Sequence, residues 1–177
     1  MSSAEHKRAV REAFSRSAPD YDGVAKIQRR IARTLVESLQ PFGEALDAGC
    51  GTGYVARLLE ALCPEGTITG LDQAHAMCAQ SGLTRTLCGD LEALPLASDS
   101  LDLYCSSLAW QWTDPASAAG EAARVLKPGG TLAVATLGPA SLIELREAFA
   151  DIDDYPHVQD FRSADEYLRC LEQAGFE

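Results

Sequence analysis

Residues 4–17 put Val10, Ala13 and Phe14 on a narrow apolar stripe, which predicts an amphipathic helix. The stretch "SAPDYDG" breaks that pattern. A second helix is predicted from about Val24 to Leu39, with Val24, Ile27, Ile31, Leu35 and Leu39 on one face, and "QPFG" ends it. From residue 44 the texture becomes an alternation. "EALDAG" reads as a strand running into a glycine turn, "YVARLLEAL" as a helix and "GTITGLD" as a second strand. "QAHAMCAQSG" is a helix, "TRTLCGD" a third strand and "SLDLYCSS" a fourth. "PASAAGEAARVL" is a helix, "GGTLAVATL" a fifth strand, and "ASLIELREAFA" and "SADEYLRCLEQAG" two further helices. Strands that alternate with helices predict an α/β architecture: a doubly wound, mostly parallel sheet with helices on both faces.

A length of 177 residues suits one domain with a single sizeable core. An uninterrupted run of about 18 apolar residues is missing, so no membrane partner is expected. The N-terminal "MSSAEHKRAVREAF" has no apolar signal core and points to a cytoplasmic protein. Cys50, Cys63, Cys78, Cys88, Cys105 and Cys170 are scattered without metal-ligand spacing, so reduced, packed thiols and no metal site are expected.

A net charge of −11 argues against nucleic acid as a partner. The charge is uneven, however. Residues 1–33 carry eight bases and four acids, net +4, and the remainder seven bases and twenty-two acids, net −15. The basic layer is either a solvated helix face or a docking surface for an acidic partner.

Gly49, Gly51 and Gly53 follow the first strand at every second position. A strand, a glycine turn and a helix make a nucleotide-binding corner. The spacing is not that of a dinucleotide fingerprint, and no G-K-[ST] supplies a phosphate-gripping lysine. No base occurs between Arg33 and Arg57, so a ligand without phosphates fits better. Asp72, at the end of the second strand about 20 residues on, is placed to accept ribose hydroxyls. Asp47 before the turn is placed for an ammonium group. Asp90 in "CGDLEALPL" can accept from an adenine amine while the Leu91 amide meets the ring. Ammonium, ribose and adenine together describe S-adenosylmethionine.

The motifs "LDAGCGTGY", "GLD", "GDLEALPL" and "VLKPGGTLAVAT" resemble those of the class I S-adenosylmethionine-dependent methyltransferases, with a Rossmann-like fold. The resemblance implies cofactor contacts at Asp47, Gly49, Gly51, Asp72, Gln73, Asp90 and Leu91. The stretches "FSRSAPDYDGVAKIQRRIARTLVESL", "SSLAWQWTDP", "ATLGPASLIELREAF" and "PHVQDF" are similar to the malonyl-[acyl-carrier protein] O-methyltransferases of biotin synthesis. That family usually has Asn in place of Ser107, and its members continue past "AGF" with a further strand pair. This predicts an exposed edge on the fifth strand of a chain ending at Glu177.

The implied reaction esterifies the free carboxylate of a malonyl thioester. It needs positioning rather than a general base, because a carboxylate is ionised at pH 7. Positioning candidates for the acceptor are Tyr21 in a lid segment, Gln111 between Trp110 and Trp112, Arg146 and His157. The two tryptophans either pack the following helix or wall the pocket around the sulfonium. The implied partner is an acidic acyl carrier protein, met by Lys26, Arg29, Arg30 and Arg33 of the basic layer. The expected organisation is one methyltransferase domain. Residues 1–40 form a helical lid and docking layer, 44–137 the cofactor core, and 138–177 helices near the acceptor. The alternatives are a methyltransferase acting on a quinone precursor or other free small molecule, and a non-catalytic S-adenosylmethionine-binding partner protein.

Overall fold

The computed structural model describes residues 3–150, 152 and 157–177. Its strands are β1 (Glu44–Ala48), β2 (Thr67–Asp72), β3 (Thr86–Cys88), β4 (Leu101–Ser107) and β5 (Leu126–Ala135). They form one sheet in the order β3-β2-β1-β4-β5, and every pairing is parallel. The helices are α1 (Ser3–Ser17), α2 (Tyr21–Val24), α3 (Lys26–Glu37), α4 (Tyr54–Leu62), α5 (His75–Gln80), α6 (Pro115–Val125), α7 (Ile143–Ala150) and α8 (Ala164–Gln173). This is the predicted alternation, with β5 on a sheet edge.

The period of two along the central strands divides the core. Leu46 of β1 lies beside Tyr104 of β4 in the parallel register, and both face Ala118, Ala122 and Val125 of α6 and Tyr167 of α8. Their neighbours Ala45, Leu103 and Cys105 face Ala32 and Val36 of α3 and Val55 and Leu59 of α4. Alternate side chains thus bury against opposite helix layers.

Local chemistry sets several element ends. Asp114 caps α6 by accepting from the Ser117 amide at 2.9 Å, with Pro115 in the first turn. Ser163 and Glu166 form a reciprocal capping box on α8. Strand β5 begins three residues earlier than predicted. Leu126 already pairs with Leu101, and the "KPGG" residues loop out before Thr131 resumes opposite Leu103.

The second predicted helix is corrected in its length, and its buried face is rotated from the predicted one. It begins at Lys26; Leu39 is buried as expected and Ile31 and Leu35 are half-buried, but Ile27 is 70% exposed. The buried side chains are Ala25, Ala32, Val36 and Leu39. The small alanines let this layer approach the sheet closely, and the stripe of large aliphatics outvoted them in the sequence pattern. The Val24 side chain lies outside what is described. In α1, Val10 is buried and Phe14 half-buried as expected, but Ala13 is exposed.

Among the described residues, no helix is long and apolar enough to cross a membrane.

Candidate functional site

The carboxyl ends of β1, β2 and β4 open into a pocket of about 640 Å3, counting its mouth. Gly49, Gly51, Asp72, Gln73, Asp90, Leu91 and Tyr21 all line it. Seven of the residues predicted from sequence, scattered over 71 positions of chain, therefore meet in one place. An α/β sheet puts its ligand crevice at these strand ends.

The glycine loop is held by the neighbouring strand. The amides of Gly49 and Cys50 both donate to the Leu71 carbonyl, at 2.7 and 2.9 Å. Gly49 has φ +83°, and a Cβ there would fall 2.3 Å from the Cβ of Ala109, so only glycine fits. Gly51 has φ +51°, and a Cβ there would meet nothing within 4 Å. That open side is where a ligand can approach the backbone.

Asp72 has two tasks. Its Oδ2 accepts from the Gly51 amide at 2.9 Å and its Oδ1 from the Ala74 amide at 2.8 Å. Each oxygen keeps a lone pair for a ligand hydroxyl. Burial pushes its pKa up, and the two backbone donors work against that rise.

Asp47 lies beneath the loop rather than on the pocket wall. It is fully buried, and its Oδ2 accepts from the Ala56 amide in the first turn of α4 at 2.9 Å. Its Oδ1 has no hydrogen-bond partner among the described residues. Desolvation raises its pKa to about 7. An orphaned carboxylate oxygen under a glycine loop fits a ligand that brings an ammonium group.

At the far end, Asp90 is already engaged. Lys7 of α1 donates to Asp90 Oδ2 at 2.7 Å and lies 2.7 Å from Glu92 Oε2. Phe14 and Tyr21 also bring the N-terminal segment to the pocket. The Tyr21 phenol is held in its neutral, donating form by burial, with Asp72 and Asp22 adding to the effect. A cleft on the α3 side shares Tyr21, Gly49, Gly51 and Ser107 with the pocket. There Thr52 donates to Asp22 at 2.7 Å, and Asp22 pairs with Arg29 at 3.2 Å, tying α2 and α3 to the glycine loop.

The two tryptophans separate. Trp110 is buried and packs edge-on against Tyr104, to whose hydroxyl its Nε1 donates at 3.3 Å. Trp112 walls the pocket, with Phe14 edge-on at 5.9 Å between ring centres. Its buried Nε1 has no partner among the described residues. Leu108, also lining the pocket, adopts φ +58°, a conformation costly for a leucine. Gln111 supports that turn, since its Nε2 donates to the Leu108 carbonyl at 2.8 Å.

A second, wider chamber of about 1160 Å3, open to solvent, adjoins the first. Lys7, Glu92, Trp112 and Thr113 line both. Gln111, Gln159 and Arg162 line only the second. Of the positioning candidates, Gln111 thus faces the outer chamber and Tyr21 the inner one. Arg146 and His157 line neither, which corrects their expected place. Arg146 is consumed by Asp160 at 2.8 Å and the Gln159 carbonyl at 3.1 Å. His157 stacks on Phe149 with ring centres 3.9 Å apart. Tyr155 and Pro156 of the "YPHVQDF" stretch lie outside the described residues.

Sequence reasoning missed Lys7, Phe14, Glu92 and Arg162. Lys7 is 83 residues from Asp90 and looked like any solvated helix lysine. Glu92 stood in the motif "GDLEALPL", which was the one available signal. Among the described residues no group of His, Cys, Asp or Glu side chains is arranged to hold a metal.

Residues 46–134 match a family model described as "Methyltransferase domain". A malonyl-[acyl-carrier protein] O-methyltransferase of Dechloromonas aromatica is 47% identical over 96% of this chain and 66% of its own length. A protein of the same name from Herminiimonas arsenicoxydans is 38% identical over 98% of the chain and 67% of its own length. The biotin biosynthesis bifunctional protein BioHC of Teredinibacter turnerae is 39% identical over 98% of the chain and 34% of its own length. The chain thus spans about two thirds of the first two relatives and a third of the last. Among solved structures, a SAM-dependent methyltransferase of Thermotoga maritima superposes with a TM-score of 0.73 at 27% identity, covering 93% of this chain and 80% of that one.

Proposed function

Because the chain belongs to the methyltransferase-domain family, among the malonyl-[acyl-carrier protein] O-methyltransferases, we propose that it methylates the free carboxylate of a malonyl thioester on an acyl carrier protein, with S-adenosylmethionine as donor. The observation that carries this reading is the extent of the likeness. It runs over 96% of the chain, through the N-terminal helices and the segment after β5, and not only through the cofactor core. The name of the BioHC relative, a biotin biosynthesis bifunctional protein, supports placing the reaction in biotin synthesis.

S-adenosylmethionine supplies an activated methyl group on a sulfonium. Asp47, buried beneath the loop, would balance the charge of its ammonium, Asp72 would accept from its ribose hydroxyls, and Asp90 with the Leu91 amide would meet its adenine, while Gly49, Gly51 and Gln73 would shape the walls. The chain's own work is orientation and exclusion of water. The acceptor carboxylate is ionised at pH 7 and needs no base. Neutral Tyr21 offers it a donor from the inner chamber, and Gln111 and Arg162 offer polar contacts in the outer one. The aromatic faces of Phe14 and Trp112 keep the junction dry and favour a cationic sulfonium.

For the carrier protein, the basic face of α3 divides in two. Arg29 and Arg33 are turned to Tyr54. Arg29 lies over its ring at 5.1 Å and Arg33 Nε donates to its hydroxyl at 2.7 Å. Lys26 and Arg30 are exposed, with no ion pair to a described residue. These two are the docking charges of the proposal. Such attraction is screened over a Debye length of about 10 Å at 0.1 M salt and about 3 Å at 1 M. The kcat/KM for malonyl-carrier protein should fall steeply with ionic strength, and Lys26→Glu with Arg30→Glu should lower it about tenfold at low salt. Malonyl-coenzyme A should respond much less. Parallel salt curves for the two acceptors would remove the docking surface. Transfer to neither acceptor would remove the proposed reaction.

A further inference from the structure

Lys7 sits where the two chambers meet. Its ammonium donates to Asp90 Oδ2 at 2.7 Å, and Glu92 Oε2 lies equally near. The other Asp90 oxygen accepts from the Glu92 amide at 3.0 Å, and the other Glu92 oxygen from the Asp114 amide at 2.8 Å. Lys7 is thus the only cation bonded within a network of two adjacent carboxylates, among the described residues. Without it, Asp90 and Glu92 would repel each other at the pocket rim.

The same side chain belongs to α1, whose inner face repeats at helical spacing. Lys7, Val10 and Phe14 follow one another at i, i+3 and i+7, with Val10 buried and Phe14 in the inner chamber. Beyond this stripe α1 is polar: Arg8 and Glu12 form an exposed pair at 3.9 Å, and Arg11 is exposed. The helix meets the pocket through this stripe, through the His6 ring 6.4 Å from that of Trp112, and through the Lys7 bridge to Asp90 and Glu92. Burial works against the charge on Lys7, yet its hydrogen bonds to Asp90 and Glu92 outweigh it and hold its pKa above the usual lysine value.

We propose that Lys7 is a positioning residue: it aims the Asp90 carboxylate at the adenine amine and fastens α1 over the pocket, so that base recognition and closure of this helix are linked. The inference rests on the assignment of Asp90 to the adenine amine. With Oδ2 held by the Lys7 ammonium and Oδ1 by the Glu92 amide, the carboxylate is fixed in direction and each oxygen keeps a lone pair for a ligand donor. An adenine amine, as a donor, satisfies it, whereas a 6-oxo base presents an acceptor to an acceptor and is rejected.

The test compares binding of S-adenosylhomocysteine with S-inosylhomocysteine, which carries oxygen in place of the amine. Calorimetry on the wild type should show at least a tenfold preference for the adenine compound. Lys7→Met should weaken adenine-compound binding about tenfold and narrow the preference below threefold, and Lys7→Arg should restore both. In an Asp90→Asn background, Lys7→Met should add little, as expected if it acts through Asp90. Trypsin cleavage after Arg8, Arg11 and Arg16 reads the second half of the proposal. S-adenosylhomocysteine should protect α1 in the wild type and in Lys7→Arg, but not in Lys7→Met. A folded Lys7→Met protein with wild-type base preference and protection would make the bridge an ordinary ion pair and overturn the proposal. A wild type without base preference would instead overturn the assignment of Asp90 itself.

Discussion

Replacing Asp72 with alanine should weaken binding of S-adenosylhomocysteine by at least about 100-fold. Two ribose hydroxyls lose a charged acceptor, and a hydrogen bond to a charged group contributes about 1.5–3 kcal/mol. The lower end for the pair, about 3 kcal/mol, already corresponds to roughly two orders of magnitude. The structure adds a second loss. The Gly51 and Ala74 amides give up their acceptor, so the glycine loop itself loosens. A fall in melting temperature should therefore accompany the loss of affinity, without loss of the fold, because the core on both sheet faces is untouched. Calorimetry showing unchanged affinity in a folded variant would remove Asp72 from the site.

Asp47→Asn should stabilise the ligand-free protein above pH 7 and weaken cofactor binding at the same time. A carboxyl whose pKa is about 7 when folded and near 4 when unfolded binds more protons in the folded state between those values. The stability that Asp47 contributes is complete below about pH 4. It is lost progressively as pH rises to about 7, and it is flat above that. Three units correspond to roughly 4 kcal/mol, as an order of magnitude. Asparagine does not titrate and still accepts from the Ala56 amide. The stability difference between variant and wild type should thus grow in favour of the variant from pH 4 to 7, measured by denaturant unfolding. In the wild type an ammonium placed against ionised Asp47 should make cofactor affinity rise as pH approaches about 7 and level off above it. A pH-independent stability difference would show that Asp47 is ionised throughout.

How far the site was legible depended on where its parts lie in the chain. Gly49, Asp72 and Asp90 each stand at the end of a predicted strand, and Gly51 in the turn after the first. A parallel sheet gathers strand ends, so their meeting followed from the alternation alone. Asp47 was legible as the strand residue before the turn but not as a fully buried one, since its partner Ala56 enters only when α4 folds back over the loop. The acceptor side was read less well. Arg146 and His157 had suitable chemistry, but their direction depended on how α7 packs. The structure gives Arg146 to Asp160, and leaves Arg162, just before the α8 cap, on the chamber wall.

The sequence by itself determined the alternation of strands and helices, the parallel sheet, the glycine loop and most of the residues that line the pocket beside it. These rest on local signals: period two in the strands, glycine where φ is positive, and carboxylates at strand ends. Only the tertiary structure decided which face of α3 is buried, which tryptophan is core and which is wall, and that Lys7 reaches Asp90 across 83 residues. Such choices depend on side chains brought together from distant parts of the chain. Their energy comes from burial and pairing that do not exist until the sheet and its helix layers have assembled.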